Sequence, residues 1–333
     1  MTTYAAITGW GRSVPERVLT NFDLEKLVDT SDEWVRTRTG ISERRIVGDD
    51  EATSDLAIRA AREALAAAGI DPADLELIIV ATCTPDWMFP SVAARVQHAL
   101  GARRAAAFDL NAACSGFIFA LATATQFIRT GSYRRALVVG SEVLSRVVDW
   151  TDRKTCVLFG DGAGAVVLEA TDKPLGLLSY VLGTDGSGDQ LLYLLGPTAS
   201  PKQRARAATT YLYMNGPEVF KFAVNVTVAA SRQVLERAGL TLEDVALFVP
   251  HQANERIIRA AAKSLHLPPE KVYINLDRFG NTSAASIPMA LAEAVEHGRL
   301  QAGDLVLMVG FGAGLTWAAG LVRWGGPNGS GGS

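Results

Sequence analysis

Short runs of consecutive apolar residues alternate along the chain with longer stretches in which apolar residues return every three or four positions. The short runs read as strands covered on both faces, and the periodic stretches as amphipathic helices. Residues 4–10 open the chain as a strand, and 21–28 read as a helix with Asn21 as its N-cap. Residues 31–40 read as a short polar segment around Trp34. Helix 53–68 stops at Gly69, strand 75–81 follows, and helix 91–100 leads to a buried strand at 105–110. A helix over 115–130 stops at Gly131, and 136–140 is the next strand.

The second half repeats this order. Residues 60–70 match 230–240 in pattern and partly in identity, and Asp74, Leu77 and Ile79 match Asp244, Leu247 and Val249 at the same offset. Strand 136–140 matches 306–310. Alanine-rich helices resemble one another by chance, but a shared glycine followed by a shared strand is harder to obtain that way. The pattern predicts a duplicated α/β unit, with helices on both faces of its sheets. The expected division is 1–170 and 171–324, with the Gly/Ser-rich 325–333 as a flexible tail.

Duplication bears on chemistry because ligands of open α/β sheets bind beyond the carboxyl ends of the strands. Cys114 falls between strand 105–110 and the next helix. His251 falls at the end of an apolar run, 245–250, and Asn281 at the matching helix start after an expected strand 271–276. The three should share one site. A helix start favours negative charge, which predicts a lowered thiol pKa for Cys114. Each residue also has a plainer reading: a buried structural cysteine, a satisfied core histidine, a helix cap. Together they form a nucleophile with two hydrogen-bond donors, suited to thioester chemistry. Backbone N–H groups of the 310–314 loop, with that of Cys114, offer an oxyanion hole. The glycine run 160–164 leads into a strand, whereas a dinucleotide loop opens a helix, so it reads as tight packing.

Composition narrows the setting. The 333 residues carry a formal charge of −3, which argues against a dedicated nucleic-acid binder. Three widely spaced cysteines, Cys83, Cys114 and Cys156, suit a reducing compartment and show no metal-ligand spacing. No signal-peptide pattern opens the chain and no apolar run is long enough to span a bilayer, so a cytoplasmic protein without membrane association is expected.

Five motifs in order carry a resemblance: Thr30-Ser31-Asp32-Glu33-Trp34 with Thr37-Arg38-Thr39-Gly40-Ile41; Ala112-Ala113-Cys114-Ser115-Gly116-Phe117; Phe159-Gly160-Asp161-Gly162-Ala163-Gly164; Val249-Pro250-His251-Gln252-Ala253-Asn254; and Gly280-Asn281-Thr282-Ser283-Ala284-Ala285-Ser286. From about residue 4 to Trp324 the chain resembles the β-ketoacyl-acyl carrier protein synthase III family, condensing enzymes that initiate type II fatty-acid synthesis. The resemblance implies an α/β thiolase-like fold, internally duplicated and layered α-β-α-β-α. It implies that a short acyl-CoA, acetyl-CoA above all, acylates Cys114. Decarboxylative condensation with malonyl-acyl carrier protein then uses His251 and Asn281, and the backbone of Cys114, Ala313 and Gly314 forms the oxyanion hole.

By the same resemblance Trp34 and Arg153 sandwich the adenine of CoA, Arg38 holds its phosphates and Asn254 meets the pantetheine arm. Phe89 reaches the partner's acyl pocket in a homodimer. Lys221, Gln252 and Arg256 are carrier-protein docking positions, with Arg259 and Lys263 as further cations. No cofactor or metal is implied, since acyl-CoA is a substrate. A type III polyketide synthase or a secondary-metabolite condensing enzyme keeps the same Cys, His and Asn set, and a Cys-His-Asn hydrolase shows the same order. Elongating condensing enzymes carry a second histidine where Asn281 stands, and degradative thiolases a cysteine in 310–314.

Overall fold

The computed structural model describes residues 2–326. Nine strands build the main sheet: β1 (Tyr4–Ser13), β2 (Leu77–Ala81), β3 (Ala106–Leu110), β4 (Arg135–Glu142), β5 (Gly162–Thr171), β6 (Gly176–Thr184), β7 (Leu247–Pro250), β8 (Leu305–Gly312) and β9 (Thr316–Arg323). Seven helices matter to the site: α1 (Asp32–Thr39), α2 (Thr53–Ala68), α3 (Val92–Leu100), α4 (Gly116–Arg129), α5 (Gly216–Ala238), α6 (Glu255–Ser264) and α7 (Ser286–Glu296).

The sheet order is β7-β8-β9-β6-β1-β5-β4-β2-β3. Read outward from its centre, each half repeats the other. From β1 the pairings run antiparallel to β5, antiparallel to β4, parallel to β2 and parallel to β3. From β6 they run antiparallel to β9, antiparallel to β8 and parallel to β7. A single bridge from Phe248 to Val272 stands where a counterpart of β3 would lie. In the main sheet the halves join through one parallel pair, Ala5 with Gly176, and an isolated bridge links Phe159 to Asn281.

Strand alternation sorts the side chains into layers. Leu77, Ile79, Val138 and Val166 of one half and Leu247, Val249, Val306 and Met308 of the other enclose α4 and α7 in one core. Their neighbours Ile78, Val80, Leu137 and Val139 face outward onto α2 and α3. Phe248, Leu307 and Val309 face outward onto α5 and α6. The layers are thus α-β-α-β-α. Because α4 lies between two sheet faces it must be apolar all round: Phe117, Ile118, Leu121 and Ile128 are each fully buried.

The structure differs from the sequence reading in four places. The first helix is a single turn, Asn21–Leu24, capped by Thr20; the Asn21 side chain instead accepts two bonds from the buried Arg44 guanidinium, at 2.9 and 3.0 Å. The polar segment at Trp34 is α1, with Ser31 as N-cap and Gly40 closing it at φ 83°; it buries only Val35 and Thr39, too few for an apolar period. Strand β3 is the sheet's edge and is half-buried to exposed, with Phe108 at 36 %. Residues 271–276 form no strand: a turn at Pro269–Lys271 and another at Leu276–Phe279 flank the one bridge. Most of the expected tail, from 327 onward, lies outside the described residues.

Candidate active site

Between β3 and α4 the chain makes a 3₁₀ turn, Ala113–Ser115, entered through Ala113 at φ 47°. The Asn111 carboxamide oxygen accepts the Ala113 N–H at 3.2 Å and steadies this left-handed step. The end of β8 packs directly behind the turn. A Cβ at Gly312 would come within 2.8 Å of the Cys114 nitrogen, so that contact requires glycine. Cys114 is 9 % exposed and lines a cavity of about 620 Å³ together with Cys83, Met88, Leu144, Phe159, Ser283 and the Ala313–Gly314 backbone. Burial pushes its thiol up to about 12, opposite to the lowering expected from the helix start. Desolvation wins because the thiol sits within apolar walls, with the Glu142 carboxylate nearby.

A second turn of the same form precedes α7. Ser283–Ala285 is again a 3₁₀ turn, entered through Ser283 at φ 48°, and the Asn281 oxygen accepts the Ser283 N–H at 2.9 Å. In this register Asn281 matches Asn111, and Ala284 rather than Asn281 stands opposite Cys114. Because its oxygen is committed, Asn281 has its amide N–H₂ left to donate.

His251 follows β7 and is 1 % exposed, with the Phe311 ring 5.2 Å away. Its Nδ1 lies 2.7 Å from the Ser286 hydroxyl, which also accepts the Gln252 N–H at 3.3 Å. That leaves the Ser286 proton for Nδ1 and places the imidazole proton on Nε2, a tautomer assigned from the hydrogen-bond network. Burial holds the ring down to about 3, so His251 is a neutral N–H donor at physiological pH. The three predicted residues do converge on one turn. Cys114 shares its cavity with Ser283, Asn281 holds Ser283, and His251 bonds Ser286 three residues on.

Other positions fare differently. The Arg153 guanidinium lies 4.9 Å from the centre of the Trp34 ring, and Arg153 also donates to the Asp29 carbonyl at 2.6 Å. The two stack on each other, so a base between them must part them. Asn254 caps α6 by accepting from the Arg256 N–H at 2.9 Å, and donates to the Arg38 carbonyl at 3.1 Å. It thereby ties Arg38 to α6. Arg256 lies over Phe220 of α5, 5.4 Å from the ring centre, and the exposed Lys221 pairs with Glu218 at 2.8 Å. Gln252 does not join them. It is 1 % exposed, and its amide bonds the Pro250 and Tyr273 carbonyls at 2.8 and 3.1 Å, which excludes it as a docking contact. Phe89 is 84 % exposed in the single chain. The glycine run 160–164 is tight packing, as expected: a Cβ at Gly164 would meet the α7 backbone at 2.5 Å.

Comparison with known proteins fits this geometry. Residues 108–186 match the family described as 3-oxoacyl-[acyl-carrier-protein] synthase III, and 235–324 match its C-terminal counterpart. The β-ketoacyl-[acyl-carrier-protein] synthase III of Symbiobacterium thermophilum is 60 % identical over 96 % of this chain and 98 % of its own length. The chain belongs to the 3-oxoacyl-[acyl-carrier-protein] synthase III family. Synthase III is a condensing acyltransferase, and this chain has its thiolase-like fold. The crystal structure of the Thermus thermophilus synthase III superposes with a TM-score of 0.92 at 51 % identity, covering 96 % of this chain and 99 % of that one. The priming β-ketosynthase of the R1128 polyketide pathway superposes at 0.90 with 39 % identity, covering 97 % of each.

The sequence reading of this synthase missed Glu142, Ser283 and Ser286. The two serines lie inside a quoted motif but were assigned no role. Glu142 follows the apolar run 136–140, and a lone carboxylate at the end of a buried strand was the available signal.

Proposed function

We propose that Cys114 attacks a short acyl-CoA, acetyl-CoA as the first choice, to form an acyl-thioester with release of CoA. Malonyl-acyl carrier protein then enters, loses carbon dioxide, and its carbanion attacks the acyl-cysteine to give 3-oxoacyl-acyl carrier protein. Losing carbon dioxide from a malonyl thioester drives negative charge onto the thioester oxygen. The observation that carries the reading is the fixed orientation of His251 and Asn281. Each has its acceptor atom committed to a serine of one turn, which leaves two neutral N–H donors for that oxygen. The Cys114, Ala313 and Gly314 backbone would serve the oxyanion of the acyl-transfer steps.

The remaining assignments follow from surfaces. The unpaired edge β3, the exposed Phe108 and the exposed Trp87, Met88 and Phe89 favour a homodimer in which a second copy covers them. Lys221 and Arg256 would receive the acidic carrier protein, and Trp34, Arg38, Arg153 and Asn254 the CoA. Among the described residues no helix is long and apolar enough to cross a membrane, and the widely spaced free cysteines suit a cytoplasmic setting.

Radiolabelled acetyl-CoA should label a peptide containing Cys114 in the wild type and nothing in Cys114→Ala. Label persisting at Cys83 or Cys156 would overturn the assignment. Turnover of an acyl-CoA panel, with malonyl-carrier protein and malonyl-CoA compared, separates this reading from a polyketide one. Equal use of malonyl-CoA favours the type III polyketide reaction. A marked preference for longer or branched primers favours secondary-metabolite priming.

A further inference from the structure

Asn281 is held at two levels. Its backbone is fixed against residues 158–160: the Asn281 N–H donates to the Leu158 carbonyl at 2.8 Å, and its own carbonyl accepts the Gly160 N–H at 3.1 Å. Among the described residues its carboxamide is fixed through Ser283 alone, whose N–H it accepts at 2.9 Å. That bond needs Ser283 to keep its left-handed backbone, at φ 48°, a conformation that favours glycine. The matching turn reaches the same conformation at Ala113, whose methyl offers no hydrogen bond. The turn can therefore form without a side-chain tether. At Ser283 it has one.

The tether is Glu142, at the end of β4. It is fully buried, and its carboxylate accepts the Ser283 hydroxyl at 3.0 Å. The loop after β2 pins that carboxylate from the other side. The N–H groups of Cys83 and Thr84 each donate to it at 3.1 Å, the hydroxyls of Thr82 and Thr84 at 3.2 and 2.5 Å, and the Cys83 thiol at 3.2 Å. The two threonines cannot turn away, because their own oxygens accept the Thr84 N–H at 3.1 Å and the Val143 N–H at 2.9 Å. Every partner from residues 82–84 lies in the same half of the chain as Glu142, whereas Ser283 comes from the other half. A carboxylate immobilised by one half thus reaches across to grip the turn that carries Asn281.

We propose that Glu142 is a positioning residue for malonyl decarboxylation, keeping the Asn281 N–H₂ aimed through its grip on Ser283. No proton moves through either residue. Without the tether the turn still forms, as it does at Ala113, but the Ser283 N–H is held less firmly. The Asn281 carboxamide then samples other rotamers while its backbone stays on residues 158–160. The cost falls on turnover and not on binding of malonyl-carrier protein, because the charge that Asn281 meets develops only as carbon dioxide leaves.

The inference rests on the proposed donor role of Asn281, and a double-mutant cycle keeps the two apart. Labelled carbon dioxide released from malonyl-carrier protein gives kcat and KM for Ser283→Ala, Asn281→Ala and the pair. Ser283→Ala should lower kcat about tenfold with KM within about twofold of wild type. On the Asn281→Ala background the same substitution should cost less than about twofold, since no carboxamide is left to aim. Glu142→Gln keeps the side-chain length but turns an N–H₂ group toward donors. It should match Ser283→Ala in both backgrounds if its circular dichroism is native; if it unfolds, the Ser283→Ala cycle decides alone. A wild-type kcat in Ser283→Ala overturns the tether. So does a tenfold loss repeated in full on Asn281→Ala, which would make Ser283 act on something other than Asn281. A raised KM with unchanged kcat overturns it as well, and places Ser283 in substrate binding. Asn281→Ala decarboxylating at the wild-type rate overturns the donor role of Asn281, a result the single variant reads separately from the tether.

Discussion

The turn before α4 and the turn before α7 are one backbone device used twice. Both are 3₁₀ turns entered by a left-handed residue, at φ 47° and 48°, and both are steadied by an asparagine two residues earlier. What differs is the side chains. In the first turn the residue after the left-handed step is Cys114, and its surroundings are small: Ala112, Ala113 and Gly116. In the second, that position is Ala284, and the polar groups stand around it in Asn281, Ser283 and Ser286. The duplicated fold brings the turns face to face, so the first supplies the sulfur and the second the groups that hold and polarise what approaches it. A repeated turn thus yields an asymmetric site, because the side chains it carries diverged.

The comparison is broken most severely at Asn281. Asn281→Ala should decarboxylate malonyl-carrier protein about 10²–10³-fold more slowly, read as labelled carbon dioxide, while single-turnover acylation of Cys114 stays measurable. Decarboxylation at the wild-type rate would reduce Asn281 to the turn-holding role of Asn111. Reversing charge at Lys221 and Arg256 together should raise the KM for malonyl-carrier protein about tenfold with acylation by acetyl-CoA nearly intact, since rim charges act on encounter. Equal loss in both half-reactions points to another docking face.

His251 sharpens the comparison through pH. Its folded pKa, about 3, lies below the ordinary histidine value of 6.5 because the ring is desolvated. Between those values the unfolded imidazole takes a proton that the folded one refuses, so this contribution to stability is complete above pH 6.5 and declines as pH falls toward 3. Decarboxylation at pH 5 should accordingly show no loss centred near 6.5, and such a loss, absent from His251→Asn, would contradict a neutral donor. The smallest effect belongs to the first turn. Asn111→Ala should lower stability by about 0.5–1.5 kcal/mol in urea titration, with decarboxylation unchanged. A loss of decarboxylation comparable to that of Asn281→Ala would mean that the two asparagines are not divided as their neighbours suggest.

Much of this was legible in the chain. Apolar runs and glycine stops located β2, α2, α3 and α4, because burial on both faces leaves a continuous apolar record and a left-handed C-cap leaves a glycine. Strand β3 showed its apolar run but not its exposure, since a sequence cannot say whether a second chain covers an edge. Helix α1 was hidden because it packs through only two side chains. The repeat between halves, visible in residues 60–79 and 230–249, sufficed to bring Cys114, His251 and Asn281 toward one site.

By itself the sequence determined the duplicated α/β pattern and pointed Cys114, His251 and Asn281 toward one site, since both are written in local pattern and motif order. Tertiary structure alone decided the protonation states. Whether Cys114 is lowered by a helix start or raised by its walls depends on how much water the fold removes. Which nitrogen of His251 carries the proton depends on a serine 35 residues away. The buried carboxylate of Glu142 comes within reach of Ser283, 141 residues further on, only after the two halves close. Electrostatics in a low-dielectric interior is fixed by distances across the chain, and no local pattern records them.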